Sequence, residues 1–98
     1  MNSIEILQKA QEIQTQRGKE YELQQGGKQE RSFNKLAEIF NLKTGKNITG
    51  AEVALLLQDL KDIRQWSTDK LHEDSIIDCV SYASLKGELL YNTKKQSI

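Results

Sequence analysis

The sequence predicts an all-α fold, a compact bundle of about four helices. The chain has no proline, so glycines rather than prolines divide it into segments. Apolar residues recur at intervals of three or four along four of these segments, which is the spacing of a helix face. No segment shows the strict alternation that is typical of a strand. The 98 residues suit one domain, spanning residues 1–98.

The first helix is predicted to start at residues 2–5, which offer a cap and an early acid, and to end near Arg17. Its apolar positions, at helical spacing, are Ile6, Leu7, Ala10 and Ile13. Gly18 predicts the C-terminal stop of this helix. The polar segment 18–30 contains two consecutive glycines, and we expect it to be a mobile loop.

The second and third helices are predicted from their apolar spacing and from a cap between them. The second helix ends between Asn41 and Gly45, and its apolar face consists of Phe33, Leu36, Ala37 and Phe40. Thr49 and Glu52 have the spacing of a capping box, which opens the third helix. The inward positions predicted for that helix are Val53, Leu56, Leu57, Leu60 and Ile63. Trp66 is expected to close the core at its end.

The fourth helix follows a polar turn at residues 67–70 and runs from Leu71 to about Tyr91, with a frayed tail at 92–98. Its apolar residues include Ile76, Ile77, Cys79, Val80, Tyr82, Ala83, Leu85, Leu89, Leu90 and Tyr91. One inward face needs only about three or four apolar residues per two turns. The surplus predicts a helix buried on two sides, against its own bundle and against a partner subunit. We therefore expect a homo-oligomer, with a symmetric dimer as its simplest form.

Charge and composition argue against several classes of protein. Fourteen basic and fourteen acidic residues give a formal net charge of zero, whereas a general nucleic-acid binder needs a basic surplus. Cys79 is the single cysteine, and its apolar neighbours predict a buried structural thiol in a reducing compartment. No apolar run reaches the length of a membrane span, and no signal peptide is evident. We therefore expect a cytoplasmic protein without a membrane partner.

Four acidic residues are candidate metal ligands. Asp59 and Asp62 lie on the third helix, and Asp74 and Asp78 lie one turn apart on the fourth. If these helices run antiparallel, the carboxylates would suit a hard cation such as Mg²⁺. The alternative is that the acids near the start of the fourth helix only favour its N-terminus.

Lys61 and Arg64 are candidate phosphate ligands on the third helix. The planar guanidinium offers a fork of donors and the ammonium offers a point charge. The alternative is that both residues form salt bridges across the helix pair, and the two interpretations are compatible. In either case we expect Lys61 and Arg64 to lie within ion-pair reach of Asp74 or Asp78.

Arg17, Tyr21 and Tyr82 complete the predicted ligand-binding set. Arg17 and Tyr21 lie at the edge of the polar loop, where the arginine would contact a phosphate and the tyrosine would stack on a base. The alternative is that Tyr21 covers the core and Arg17 favours the helix C-terminus. Tyr82 lies one turn after Asp78. The single histidine, His72, has no Cys or His partner at zinc-ligand spacing, so we expect it to pack in the turn.

Five motifs follow one another along the chain: Arg17-Gly-Lys-Glu-Tyr21, Ser32-Phe33 with Leu36-Ala37-Glu38-Ile39-Phe40, Ile48-Thr49 with Glu52-Val-Ala-Leu, Leu60-Lys61 with Arg64, and His72-Glu-Asp74-Ser-Ile-Ile-Asp78 with Tyr82-Ala83. Their order resembles that of a family of small phage and prophage proteins, which in turn is similar to the MazG-like nucleotide-modification-associated domains. This resemblance implies an all-α fold, a phage context and a nucleotide ligand. MazG-type pyrophosphohydrolases hold magnesium with paired acids on two helices, and the aspartates of this chain are a partial, shifted match.

The predicted function is that of a phage-type accessory protein in the cytoplasm of a bacterial host. It would bind a nucleotide or another phosphorylated ligand through an acid–base cluster on the third and fourth helices. A MazG-like pyrophosphohydrolase activity is compatible with this function, and the sequence leaves open whether the chain is an enzyme. The alternative is a non-enzymatic interaction protein, such as a phage inhibitor that binds a host defence protein.

Overall fold

The structure is a computed structural model that describes residues 1–25 and 32–94, without the side chains of residues 20–25 and 94. Within these residues the chain forms four helices and no strand, which confirms the predicted all-α fold. The helices are α1 (Ser3–Gln25), α2 (Phe33–Thr44), α3 (Gly50–Trp66) and α4 (Glu73–Lys94). Across this part of the chain, no helix is both long enough and apolar enough to cross a membrane.

The helix α4 is central: α1 packs on one side of it and α3 on another, while α2 packs against α3. The direction of α1 follows from its contacts. Gln14 bonds to Ser81 and Ser84, whereas Arg17, further along α1, reaches back to Asp78 on α4. The two helices are therefore antiparallel, and the C-terminal half of α1 lies beside the first half of α4.

The helices α3 and α4 form an antiparallel pair joined by a short turn. The ammonium of Lys86 donates to Gln58 Oε1 at 2.7 Å, which links the two helices midway along α3. At the turn, the backbone N–H of His72 donates to Gln65 Oε1, also at 2.7 Å. His72 thus lies in the turn, as predicted. The close pairing brings side chains that are far apart in sequence onto one surface.

The apolar core lies where α2, α3 and α4 meet. Its buried residues are Phe33, Ala37, Ala51, Val53, Ala54, Leu85 and Leu89. Ile48, Leu57, Tyr82 and Leu90 are partly buried and pack around this cluster. The alanines of α3 are central, and Ala54 is fully buried. Because their side chains are small, the backbone of α3 can lie close to its neighbours.

The predicted capping box is present at the start of α3. The N–H of Glu52 donates to Thr49 Oγ1 at 3.2 Å, and the N–H of Thr49 donates to Glu52 Oε1 at 2.9 Å. Gly45 caps the C-terminus of α2 with a φ of 71°, in the left-handed region that glycine adopts at helix ends. Its N–H donates to the carbonyl of Asn41 at 2.9 Å, so the predicted end of α2 is confirmed.

The predicted end of α1 at Arg17 is wrong, because the helix continues to Gln25. Gly18 is a buried residue inside the helix and not its C-terminal stop. A glycine within a helix costs only about 1 kcal/mol relative to alanine. The lysine, glutamates, leucine and glutamines after it are good helix formers, which offset that cost. Most of the predicted loop at 18–30 is therefore helix, and residues 26–30 lie outside the described residues.

The predicted fraying of residues 92–98 is also wrong for its first part. The helix α4 starts at Glu73 and continues to Lys94. The hydroxyl of Thr93 donates to the carbonyl of Leu89 at 3.0 Å, within the last turn of the helix. Residues 95–98 lie outside the described residues.

The inward face predicted for α3 is wrong at several positions. Leu56, Leu60 and Ile63 are exposed, and Trp66 does not close the core, since 85% of its surface is exposed. The predicted inward positions Val53 and Leu57 do contribute to the core, but beside them the alanines, rather than Leu56 and Leu60, face the interior. A face of small residues allows closer approach than a face of leucines, and this tight packing determines the rotation of α3.

Much of the apolar surface of α4 is covered within the chain itself, although Tyr91 is exposed. Ile77 and Leu85 are buried, and Val80 and Ala83 are partly buried. Both α3 and α1 of the same chain pack against α4. The predicted contact of this helix with a partner subunit stays a prediction. The large apolar residues that remain exposed lie mainly on α2 and α3, and Tyr91 is exposed near the end of α4.

Candidate functional site

The candidate site is an ion-pair cluster in which Asp78 joins three helices. The Lys61 ammonium on α3 lies 3.0 Å from Asp78 Oδ2. The Arg17 guanidinium on α1 lies 3.8 Å from Asp78 Oδ1, close to the outer limit for an ion pair. We call these three residues the Asp78 cluster. It carries two positive charges and one negative charge.

The three side chains of the cluster differ in their exposure to solvent. The side chains of Asp78 and Lys61 are 13% and 15% exposed, whereas that of Arg17 is 44% exposed. Screening by water is weaker for the first pair, so its attraction is stronger than that of a surface salt bridge. The Arg17 contact is longer and better solvated. The arginine is therefore the partner that a ligand from solvent would reach first.

The helices place these residues by simple periodicity. Asp78 lies next to the buried Ile77, so it sits at the edge of the face that α4 turns inward. Lys61 follows the partly buried Leu57 by one turn, which puts its ammonium beside α4. Arg17 lies one turn beyond Ile13 and near the partly buried Gln14. All three are polar residues at the border of an apolar seam.

Polar contacts continue along the seam between α1 and α4. The hydroxyls of Ser81 and Ser84 each donate to Gln14 Oε1 at 3.0 Å. Ser81 is buried, so its hydrogen bond satisfies a hydroxyl that is shielded from water. Polar contacts of Gln14 and Arg17 thus accompany the buried Ala10 where α1 packs on α4.

On the other side of α4, the thiol of Cys79 donates to Asp62 Oδ1 at 3.4 Å. Burial raises the pKa of the Cys79 thiol above its ordinary value of 9.0, and the hydrogen bond to Asp62 and its negative charge raise it further. The thiol is therefore held in its protonated, unreactive form at neutral pH. The predicted structural role of Cys79 fits this environment, although the residue is only partly buried.

Sequence reasoning identified one half of the cluster. Lys61 was expected within ion-pair reach of Asp74 or Asp78, and its contact with Asp78 confirms this. The same expectation is wrong for Arg64, which is exposed and forms no ion pair with a described residue. Arg17 was singled out as a phosphate ligand, but its position beside Asp78 was missed. No signal within one segment links residues 17 and 78, because only the packing of α1 on α4 brings them together.

The four predicted metal ligands do not gather into one site. Among the described residues, no group of three or more His, Cys, Asp or Glu side chains is arranged to hold a metal ion. Asp62 faces Cys79, and Asp78 faces two cations. Asp59 and Asp74 are exposed. The four aspartates therefore do not share one metal-binding position, and a role for Mg²⁺ stays a prediction.

Tyr82 and Tyr21 are the two predicted aromatic ligands, and the structure describes the side chain of Tyr82 alone. Tyr82 packs against Phe33, with ring centroids 6.2 Å apart and an angle of 55° between the planes. It contributes to the core, which limits its freedom to stack on a ligand. The side chain of Tyr21 lies outside the described residues, although its backbone belongs to α1.

A groove of about 540 Å³ lies between α1 and α4. Its lining residues are Leu7, Ala10, Gln11, Gln14, Thr15, Lys19, Val80 and Ser84. Leu7, Gln11, Thr15 and Lys19 follow one another at four-residue spacing and form one wall. None of the three residues of the Asp78 cluster lines this groove. The groove and the cluster are therefore separate features of the α1–α4 pair.

The comparisons with known proteins identify a family. The model of the family described as "Domain of unknown function (DUF6378)" matches residues 5–90, which is most of the chain. The chain matches no curated protein and no solved structure. The protein therefore belongs to the DUF6378 family, and its site must be argued from its own geometry.

Proposed function

We propose that this member of the DUF6378 family binds a phosphorylated small molecule, in the simplest case a nucleotide, at the Asp78 cluster. The observation that carries the proposal is the convergence of Arg17 and Lys61, from two different helices, on one carboxylate of a third. Two cations that are held side by side form a binding site for an anion with several oxygen atoms.

Most hydrogen-bond donors of the cluster have no partner among the described residues. The guanidinium of Arg17 has five N–H groups and makes one ion pair with a described residue, at 3.8 Å. The ammonium of Lys61 has three N–H groups and makes one ion pair, at 3.0 Å. A phosphate that approaches from the Arg17 side would accept hydrogen bonds from these groups without displacing the Lys61–Asp78 contact.

In this proposal Asp78 positions the two cations. A half-buried carboxylate between them offsets their mutual repulsion and keeps their side chains extended toward each other. An incoming phosphate then meets donors that are already oriented, so less conformational entropy is lost on binding. The proposal moves the predicted site from the third and fourth helices to a junction that also includes the first.

The proposed role is binding without hydrolysis. A MazG-like hydrolase would need several acids around magnesium, and the described residues offer no such group. We also propose that the chain is a phage-type accessory protein. This part of the proposal is supported by the resemblance of the five motifs to those of small phage and prophage proteins. A cytoplasmic location in a bacterial host belongs to the same part of the proposal.

A thermal-shift assay tests the ligand proposal. The purified chain is heated with a nucleoside triphosphate, a nucleoside diphosphate or inorganic pyrophosphate, each with and without Mg²⁺. A ligand at about 100 times its dissociation constant adds roughly 2.7 kcal/mol to the free energy of unfolding, which raises the melting temperature. We expect at least one of these compounds to do so.

A matched pair of variants locates the binding. Arg17→Gln removes a charge from the cluster, whereas Lys9→Gln removes an exposed charge from the same helix. We expect the first variant to lose the ligand-induced shift and the second to keep it, with the same helical circular dichroism in both. Equal shifts in the two variants, or no shift of the unmodified chain with any of the compounds, would contradict the proposal.

A second candidate function is the binding of a host defence protein, and the surface of α2 favours it. Leu36, Ile39, Phe40 and Leu42 are exposed along this helix, and Leu42 is 81% exposed. Apolar residues clustered on one short helix are typical of surfaces that bind a partner. An inhibitor of an antiviral system would use such a surface.

Phage infection of host strains that carry single defence systems tests this second function. Expression of the chain should raise plaque formation in at least one strain, and Leu42→Glu should abolish the effect while Lys35→Glu on the same helix should not. Unchanged plaque formation in every strain would reject the second function and leave the ligand proposal untouched.

A further inference from the structure

We infer that the outward face of α3 is a self-association surface on which two copies of the chain pair antiparallel. We call this surface the α3 outer face, and it consists of Leu55, Leu56, Asp59, Leu60, Ile63 and Trp66. All six residues are exposed. The opposite side of the helix carries the alanines that pack in the core. The outer face is therefore not needed to build the domain of a single chain.

The exposed apolar area is large enough to form the centre of a dimer interface. Leu56 and Ile63 are each 61% exposed, and Trp66 is 85% exposed. With Leu55 and Leu60 they expose about 500 Å², to which the tryptophan alone contributes roughly 200 Å². A standard interface buries roughly 800 Å² on each partner. The apolar face supplies most of that area, and the polar residues around it would supply the rim.

The polar groups on this face are complementary to a second copy. Asp59 and Trp66 are seven residues apart, so they lie almost on one line along α3, separated by about 10 Å. Neither side chain forms a hydrogen bond or an ion pair with a described residue. In an antiparallel pair with its two-fold axis near Ile63, the indole N–H of each copy faces the Asp59 carboxylate of the other. Each copy thus contributes one donor, the indole N–H, and one acceptor, the Asp59 carboxylate. Each of these groups pairs with its counterpart on the other copy.

A second copy fits this face for two further reasons. At the axis, Ile63 meets its own equivalent, which is the contact that a two-fold interface produces. The formal net charge of the chain is zero, so two copies do not repel each other at long range. This places the predicted homo-oligomer on α3, whereas the sequence alone placed it on α4. The inference does not depend on the ligand proposal.

Light scattering and tryptophan emission test the inference in the full chain. Trp66 is the single tryptophan, so its emission reports on this face alone. As the protein concentration rises from low micromolar to several hundred micromolar, we expect the mass to rise from 11.2 kDa toward twice that value. We expect the emission maximum to move to shorter wavelength over the same concentration range, because the indole leaves water.

Variants separate this face from the rest of the surface. Ile63→Glu should keep the mass at that of one chain and the emission at long wavelength, with unchanged circular dichroism. Leu42→Glu, on the exposed side of α2, should dimerise as the unmodified chain does. Trp66→Phe keeps an aromatic ring but removes the donor, and it should raise the dimer dissociation constant roughly tenfold, as read by light scattering.

Two results would overturn the inference. The first is a single-chain mass and constant long-wavelength emission of the unmodified protein at every concentration, which would leave the α3 outer face to a different partner. The second is a dimer that Leu42→Glu disrupts and Ile63→Glu leaves intact, which would place the interface on α2.

Discussion

The ammonium of Lys61 lies 3.0 Å from Asp78 Oδ2, and this ion pair ties α3 to α4 where both side chains are largely shielded from water. Arg17 reaches the other oxygen of the same carboxylate from α1. One aspartate thus connects three of the four helices. Its substitution is expected to affect both the stability of the fold and the binding of an anion.

Breaking this pair from one side should destabilise the protein more than removing both partners. Asp78→Asn leaves the Lys61 ammonium, which is largely shielded from water, without its partner, and we expect it to lower the free energy of unfolding by roughly 2–3 kcal/mol. Lys61→Met with Asp78→Met together should cost clearly less, because the side chains stay large and the one charge that loses its partner, on Arg17, is 44% exposed. Urea denaturation of these two variants, of Lys61→Met alone and of Asp78→Met alone measures these differences.

The outcome decides whether the pair is a coupled unit. A coupling energy near zero in the double-mutant cycle would show that Lys61 and Asp78 act independently. Lys35→Met, which removes an exposed lysine on α2, serves as the control and should change the stability by less than about 0.5 kcal/mol.

The rotation of α3 predicts which substitutions on this helix lower the free energy of unfolding most. Ala54 is fully buried in the core, so Ala54→Leu should overpack it and cost about 1–3 kcal/mol or more. Leu56 is exposed, so Leu56→Ala should change the free energy of unfolding by less than about 0.5 kcal/mol at low protein concentration. Denaturation midpoints measure both effects. If Leu56→Ala were the more damaging substitution, the leucines rather than the alanines would face the core.

The environment of Cys79 predicts how its reactivity and its contribution to stability depend on pH. Burial, followed by the hydrogen bond and the charge of Asp62, raises the thiol pKa above 9.0 in the folded state. The folded state then binds the proton more tightly than the unfolded state does. This contribution to stability is complete below pH 9 and is lost as the pH rises through the folded-state pKa.

Alkylation of Cys79 measures this shift directly. At a pH of about 8, the folded chain should react with iodoacetamide several-fold more slowly than the chain unfolded in urea, because less thiolate is present. Asp62→Asn removes the negative charge beside the thiol, so it should lower the thiol pKa and speed the reaction of the folded chain. Equal rates for the folded variant and the folded unmodified chain would show that Asp62 does not control the thiol.

The parts of the site that the sequence predicted are those that depend on neighbouring helices and short turns. The Lys61–Asp78 contact could be predicted because α3 and α4 are consecutive and antiparallel, which limits how their faces meet. Arg17 was recognised as a candidate ligand, but its partner could not be, since 60 intervening residues and the packing of α1 separate it from Asp78. The four aspartates were correctly placed on two helices, yet their carboxylates point to different places. A metal site needs carboxylates that point toward one position.

The sequence by itself determined the four helices, the cap at Thr49 and the turn between α3 and α4, because spacing, capping and turn residues act over a few positions. The tertiary structure alone decided which side of α3 faces the core, since both an alanine side and a leucine side fit a helical period. It also decided that α1 continues past Gly18 and covers α4. These outcomes depend on how closely the helix backbones pack, and that distance is set by side chains that are remote in sequence.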